Sequence, residues 1–287
     1  MEAGMRIIDG FDGIYGIYSE NGSFDMNKWR SYADSLCFGL SEKCEKDCRE
    51  SYDFDKQVLP VLNKAYLDKE KLDKAHESFL AATSGIEDRF FNGLGMNIDV
   101  DIILYLGLCS GAGWATDING KRCVLLGIEK IVELGWQNID TLSALIYHEL
   151  GHIWHFILNK ELEDSDSIVT TREKAIAQLY EEGIAMLVEQ ILMDKGEYYH
   201  QYDKNLLGWC EKNEAMLAKE YLRRIIENDS VQDFFGDWCS FMGHSDTGYF
   251  LGCRFIRHML ESYSLKEIAT MDIELVSQNF ARYARRL

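Results

Sequence analysis

Proline is nearly absent: Pro60 is the one proline in 287 residues. Proline fixes φ, removes a backbone donor and interrupts helices. Its scarcity excludes proline-rich linkers and leaves room for long helices. Basic charge is also short. There are 30 Lys and Arg against 48 Asp and Glu, a formal net charge of -18. Such a field repels a phosphate backbone, so nucleic acid is not an expected partner. Long hydrophobic runs are missing too. The longest uncharged apolar stretch, Ile102 to Ala115, is too short to span a bilayer and is interrupted by glycines. No membrane association is expected. The N-terminal stretch MEAGMRIIDGFDG has no apolar core of the kind a secretory signal needs, so the expected compartment is the cytoplasm. The eight cysteines are then expected as free thiols. Cys37, Cys44 and Cys48 could hold a metal, but their spacing is loose and no second Cys/His pair follows.

Against those shortages, hydrophobic residues make up 47% and charged residues 27%, an ordinary balance for a soluble globular protein. The length suits one large domain, or a core domain with a smaller helical lobe. Residues 1–50 read as irregular, apart from a helix around 26–40. From Tyr52 to about Phe91 the apolar residues recur at helical spacing. The segments 98–108 and 121–128 read as strands, and the turn-rich stretch 111–120 between them suggests a hairpin or meander. Beyond Asn138 the pattern predicts helices at about 140–159, 171–194, 203–227, 246–263 and 272–285. A small sheet followed by helices predicts an α+β fold. A weak boundary near residue 95 separates a mainly helical segment, 1–95, from 96–287.

The chemistry concentrates in YHELGHIWH, Tyr147 to His155. Titratable groups are costly inside an apolar helix unless something holds them. Asp140 or Asn138 can cap this helix, and Leu142, Leu145, Ile146, Ile153 and Phe156 give it an apolar side. Residues four apart share a helix face, so His148 and His152 can direct both imidazoles at one point. Glu149 sits about 100° around the axis from His148. This H-E-x-x-H spacing supplies two zinc ligands and a carboxylate placed to take a proton from water. Gly151 leaves the surface bare, so another element can approach closely.

Zinc requires a third protein ligand. His155 lies a further turn along and reaches a shared tetrahedral centre with difficulty. The stretch YEEGIAMLVEQ, Tyr180 to Gln190, offers Glu181 or Glu182, and apolar periodicity does not choose between them.

HELGH followed about thirty residues later by E-G-x-A resembles the gluzincin group of zinc metallopeptidases, small bacterial zinc proteases in particular. The resemblance covers roughly residues 98–260 and implies a zincin-like fold with a small mixed β-sheet next to the zinc helix. It implies Glu182 as third ligand, with Gly183 and Ala185 permitting close helix packing. The stretch GHSDTGYFLGCRF, Gly243 to Phe255, is similar to the gluzincin His…Gly-Tyr-x-x-Gly-Tyr segment, although Cys253 stands where that pattern has its second tyrosine. It implies that His244 and Tyr249 stabilise the transition state. It also implies that Cys123–Ile128 is the edge strand that pairs with substrate.

The expected activity is hydrolysis of peptide bonds in a peptide or protein substrate. His148, His152 and Glu182 would hold zinc, Glu149 would act as general base, and Tyr249 and His244 would bond the oxyanion. The alternative is a catalytically idle zinc-binding sensor or interaction protein on a peptidase fold. Metal retention alone does not need Glu149.

Overall fold

The structure is a computed structural model and describes residues 4–163, 168–236 and 239–287. It is α+β, with a small mixed sheet of four strands and many helices. The chain divides into two compact units, Met1–Glu149 and Leu150–Leu287.

In the first unit the strands are β1 (Met5–Asp9), β2 (Val100–Tyr105), β3 (Gly113–Ile118) and β4 (Lys121–Gly127), in the order β1-β2-β4-β3. The pairs β1–β2 and β2–β4 are parallel, and β3–β4 is antiparallel. Between β1 and β2 the chain forms α1 (Met26–Leu36), α2 (Leu40–Ser51), α3 (Leu59–Leu67), α4 (Lys69–Thr83) and α5 (Ile86–Leu94). After β4 come α6 (Ile128–Leu134) and α7 (Ile139–Leu158), a continuous helix within which the division falls. Strand β2 is buried along its whole length, which is why VDIILY reads as an apolar run rather than an alternation. Its one charge, Asp101, is fully buried and paired with Arg6 and with Lys121, whose Nζ lies 3.6 Å away. Asn119 and Gly120 turn β3 into β4 with φ of 54° and 81°. Two left-handed residues in succession make the tight turn whose twist matches the flanking strands.

Two expectations are corrected here. Strand β4 is not an edge strand: β2 flanks it on one side and β3 on the other. The free edge on that side belongs to β3, whose glycine and aspartate gave it the composition of a turn. Residues 5–9 are not irregular but a strand, and 40–51 form a helix.

The second unit holds the rest of α7, then α8 (Thr171–Met193), α9 (Lys204–Glu227), α10 (Thr247–Met259), α11 (Leu265–Ala269) and α12 (Ile273–Arg286). Helix α8 starts at a reciprocal cap between Thr170 and Glu173, and Asp203 and Asp272 cap α9 and α12. Helix α10 stops at Met259, short of the predicted 263, and Ser264 with Glu267 caps a new helix. Tyr221, Phe234, Phe255 and Phe280 are fully buried. Tyr221 meets Phe234 and Phe280 edge-on, as does Phe255 with Phe280, the arrangement the ring quadrupole favours.

Small residues set the helix spacing. A Cβ on Gly151 would lie 2.9 Å from the Ala185 Cα, so α7 and α8 touch nearly backbone to backbone. A Cβ on Gly183 would lie 2.6 Å from the Gly252 carbonyl oxygen, and one on Gly252 would lie 2.6 Å from the Leu179 carbonyl oxygen. Helices α8 and α10 therefore cross at a pair of glycines.

Among the described residues no helix is long and apolar enough to cross a membrane. None of the eight cysteines is in a disulfide. Cys44 Sγ lies 3.4 Å from the Tyr105 hydroxyl, and among the described residues no metal-holding group includes Cys37, Cys44 or Cys48.

Candidate metal centre

Helix α7 is capped by Asn138, whose Oδ1 accepts the Thr141 N–H at 2.9 Å, while its carbonyl accepts from Leu142. Asp140 lies inside the first turn. Leu142, Leu145, Ile146 and Ile153 are buried, which fixes the rotation of the helix. That rotation buries His148 and leaves His152, one turn on, half-buried. Glu182 comes from α8, beside the Gly183 that lets α10 pack against it.

One ligand atom from each of His148, His152 and Glu182 lies within 4.8 Å of the others. The group could hold a metal ion. His152 Nε2 and Glu182 Oε2 are 3.4 Å apart. That is long for a charge-assisted hydrogen bond. It matches the edge of a tetrahedron with metal–ligand bonds of about 2.0–2.1 Å, which places donor atoms roughly 3.3–3.4 Å apart. Two imidazoles and a carboxylate are also a donor set of suitable chemistry. The residues fit a small divalent cation.

Glu181 is outside that group. Burial pushes its carboxyl up to about 7, with His152 opposing the shift and Glu182 adding to it. His155 is outside it as well. Fully buried, it stands edge-on to the Tyr180 ring at 4.4 Å, and among the described residues neither ring nitrogen has a hydrogen-bond partner. Burial drives its pKa down to about 3, so the ring is neutral and packs as a core aromatic.

Glu149, next to His148, is buried, and its Oε2 accepts the Ala115 N–H of β3 at 2.8 Å. A Cβ at Gly113 would overlap the same carboxylate. Glycine at that position is what admits Glu149 to the strand edge.

His244 and Tyr249 do not belong to the group of three. His244 lies just ahead of α10, its ring over Trp209 at 4.0 Å. Tyr249 lies in the first turn of α10, edge-on to Phe235 at 5.5 Å.

Three polar arrangements had no signal in the sequence. The Ala115 contact uses main chain. The Glu129 carboxylate is fully buried and accepts the N–H groups of Gly107 at 2.7 Å and Cys109 at 3.0 Å. Burial raises its pKa, and those two donors oppose the rise. They pin the loop that leads from β2 toward β3. In the second unit, Glu189 and His200 form a buried pair with Oε2 and Nδ1 2.8 Å apart.

No protein-family model matches the chain, and no match was found among curated proteins or among solved structures.

Proposed function

We propose that this chain is a zinc-dependent peptidase of the gluzincin kind. The observation that carries the reading is the convergence of His148, His152 and Glu182 within 4.8 Å, with Glu149 on the next residue of the same helix. Zinc bound by those three side chains would supply a Lewis acid for a scissile carbonyl and lower the pKa of a water toward 7.

The chain's own groups do the rest. Ala115 holds Glu149 Oε2, and Oε1 makes no hydrogen bond among the described residues. Oε1 is the atom that takes the proton of the attacking water and passes it to the leaving amine. The bond to Ala115 fixes the carboxylate rotamer, so the base is preorganised. Tyr249, with His244, donates to the developing oxyanion once substrate is bound. A peptide or protein is the substrate. The catalytically idle alternative leaves Glu149 without a task, and a sensor would not need it.

The test is peptide-library cleavage with the purified protein, with and without a chelator. Cleavage that the chelator stops and zinc restores supports the reading. A protein that holds zinc yet cleaves nothing across a broad library overturns it in favour of the sensor.

A further inference from the structure

Carboxylates outnumber cations in this chain, and most arginines of the second unit sit against them. Arg223 pairs with Glu220, Glu227 and Asp229, Arg224 with Glu220 and Asp233, and Arg254 with Glu197 and Glu214. Arg282 and Arg285 are different. Both are exposed on α12, and among the described residues neither has a carboxylate within 4.0 Å or a hydrogen bond.

These two arginines line a cleft of about 380 Å³ with Arg172, at the start of α8. Arg172 reaches the Ser277 hydroxyl at 3.3 Å and lies 3.9 Å from Glu274. The apolar lining is Leu222, Ile225 and Ile226 of α9 with Ala281 of α12, and among the described residues no acidic side chain lines the cleft. Ile226 is 67% exposed, an apolar side chain left uncovered beside the arginines. A second depression shares Leu222, Ile226 and Arg285 and adds Lys219 and Arg223 with one carboxylate, Glu227, so the groove continues along α9 with cations in excess.

We propose that this groove binds a short acidic peptide segment that carries an aliphatic side chain. It is a second site, independent of the metal-dependent reading above. Arg282 and Arg285 present planar donor forks that match a carboxylate, and Ile226 with Leu222 receives the aliphatic group. The volume falls within the range of ligand-binding clefts, about 300–1,000 Å³, and the continuation suits an extended chain. Charge complementarity sets the sign of the ligand, since the cleft is cationic on a chain of net charge -18. Nucleic acid fits poorly, because among the described residues no aromatic ring lines the cleft to stack a base.

The experiment is fluorescence anisotropy of the full chain with a fluorescein-labelled hexapeptide alternating glutamate and leucine, its integrity checked by mass spectrometry. A hexapeptide alternating lysine and leucine is the control. Saturable binding is expected for the acidic peptide alone, weakened by salt. Arg282→Gln with Arg285→Gln should weaken it about tenfold. Ile226→Ser should weaken it by a route that leaves charge intact, and both variants alter exposed side chains only. No saturable binding, equal binding of the basic peptide, or unchanged binding by both variants overturns the proposal. Tighter competition by phosphatidylserine vesicles than by unlabelled peptide would assign the groove to a lipid surface instead. Self-association of the wild type that the arginine variant abolishes would assign it to a second copy of this chain. Either result would also overturn the proposal.

Discussion

Replacing Gly183 with alanine tests the packing that places Glu182. The added Cβ would lie 2.6 Å from the Gly252 carbonyl oxygen and 2.7 Å from its carbonyl carbon. Both are backbone atoms, so no side-chain rotation relieves the overlap and α10 must move away from α8. Overpacking of this kind costs about 1–3 kcal/mol. For a protein of this size each kcal/mol lowers Tm by about 2–4 °C, so a fall of roughly 2–12 °C is expected. Gly208 is the control, because a Cβ there meets nothing within 4 Å on α9. Gly208→Ala should stabilise by about 0.5–1 kcal/mol through helix propensity. Thermal unfolding followed by circular dichroism measures both. The strain lies one residue from Glu182, so Gly183→Ala should also weaken zinc binding while Gly208→Ala leaves it unchanged. The Gly183→Ala, Gly252→Ala double variant should lose less than the sum of the singles, because one displacement relieves both overlaps. A Gly183→Ala protein as stable as the wild type would show that the two helices do not cross at these glycines.

Glu149→Gln should keep zinc and fold, because its amide oxygen can still accept from Ala115, while peptide cleavage falls about 10²–10⁴-fold; kcat on a cleavable peptide and zinc content are read together. Tyr249→Phe should lower kcat on the order of 10²–10³-fold with little change in KM. His155→Ala should retain the metal yet lose about 2–4 kcal/mol of stability in urea, since the ring packs the core rather than the ion. Glu220 gives a pH signature. Hydrogen bonds from Arg223 and then Arg224 hold its carboxyl down at about 2, below the ordinary 4.5. A depressed folded-state pKa contributes stability that is present above 4.5 and lost as pH falls through 2. With the side chain part-exposed, Glu220→Gln should cost about 1 kcal/mol at pH 7 and nothing measurable near pH 2, by urea unfolding across that range.

The helices were legible because their apolar faces repeat at helical spacing and their caps are local. The reading at 140–159, 171–194, 203–227 and 272–285 meets observed helices at 139–158, 171–193, 204–227 and 273–286. The two histidines were legible for the same reason, since i and i+4 converge on any regular helix. Strand β1 was not, because none of the residues of MRIID is buried and its pairing is with β2, far away in sequence. Strand β3 was hidden by Gly113 and Asp117, residues suited to turns that an edge strand tolerates. The order of strands is a matter of long-range pairing, so nothing local in the sequence could correct the edge position that the resemblance implies for β4. Glu181 and Glu182 were inseparable by periodicity, because their directions differ by about 100° and only the placement of the facing helix decides which of them meets the histidines. Of the packing glycines, Gly151 was legible from its place on the helix face and Gly183 only through the resemblance, and the partners of both depend on tertiary contact.

The central claim is that His148, His152 and Glu182 hold one zinc ion. Elemental analysis of zinc-reconstituted, gel-filtered protein tests it most directly, comparing wild type with His148→Ala, Glu182→Gln and Glu181→Gln. About one zinc per chain is expected in the wild type and in Glu181→Gln, with loss in His148→Ala and Glu182→Gln. Full zinc occupancy in both His148→Ala and Glu182→Gln, or none in the reconstituted wild type, would contradict it.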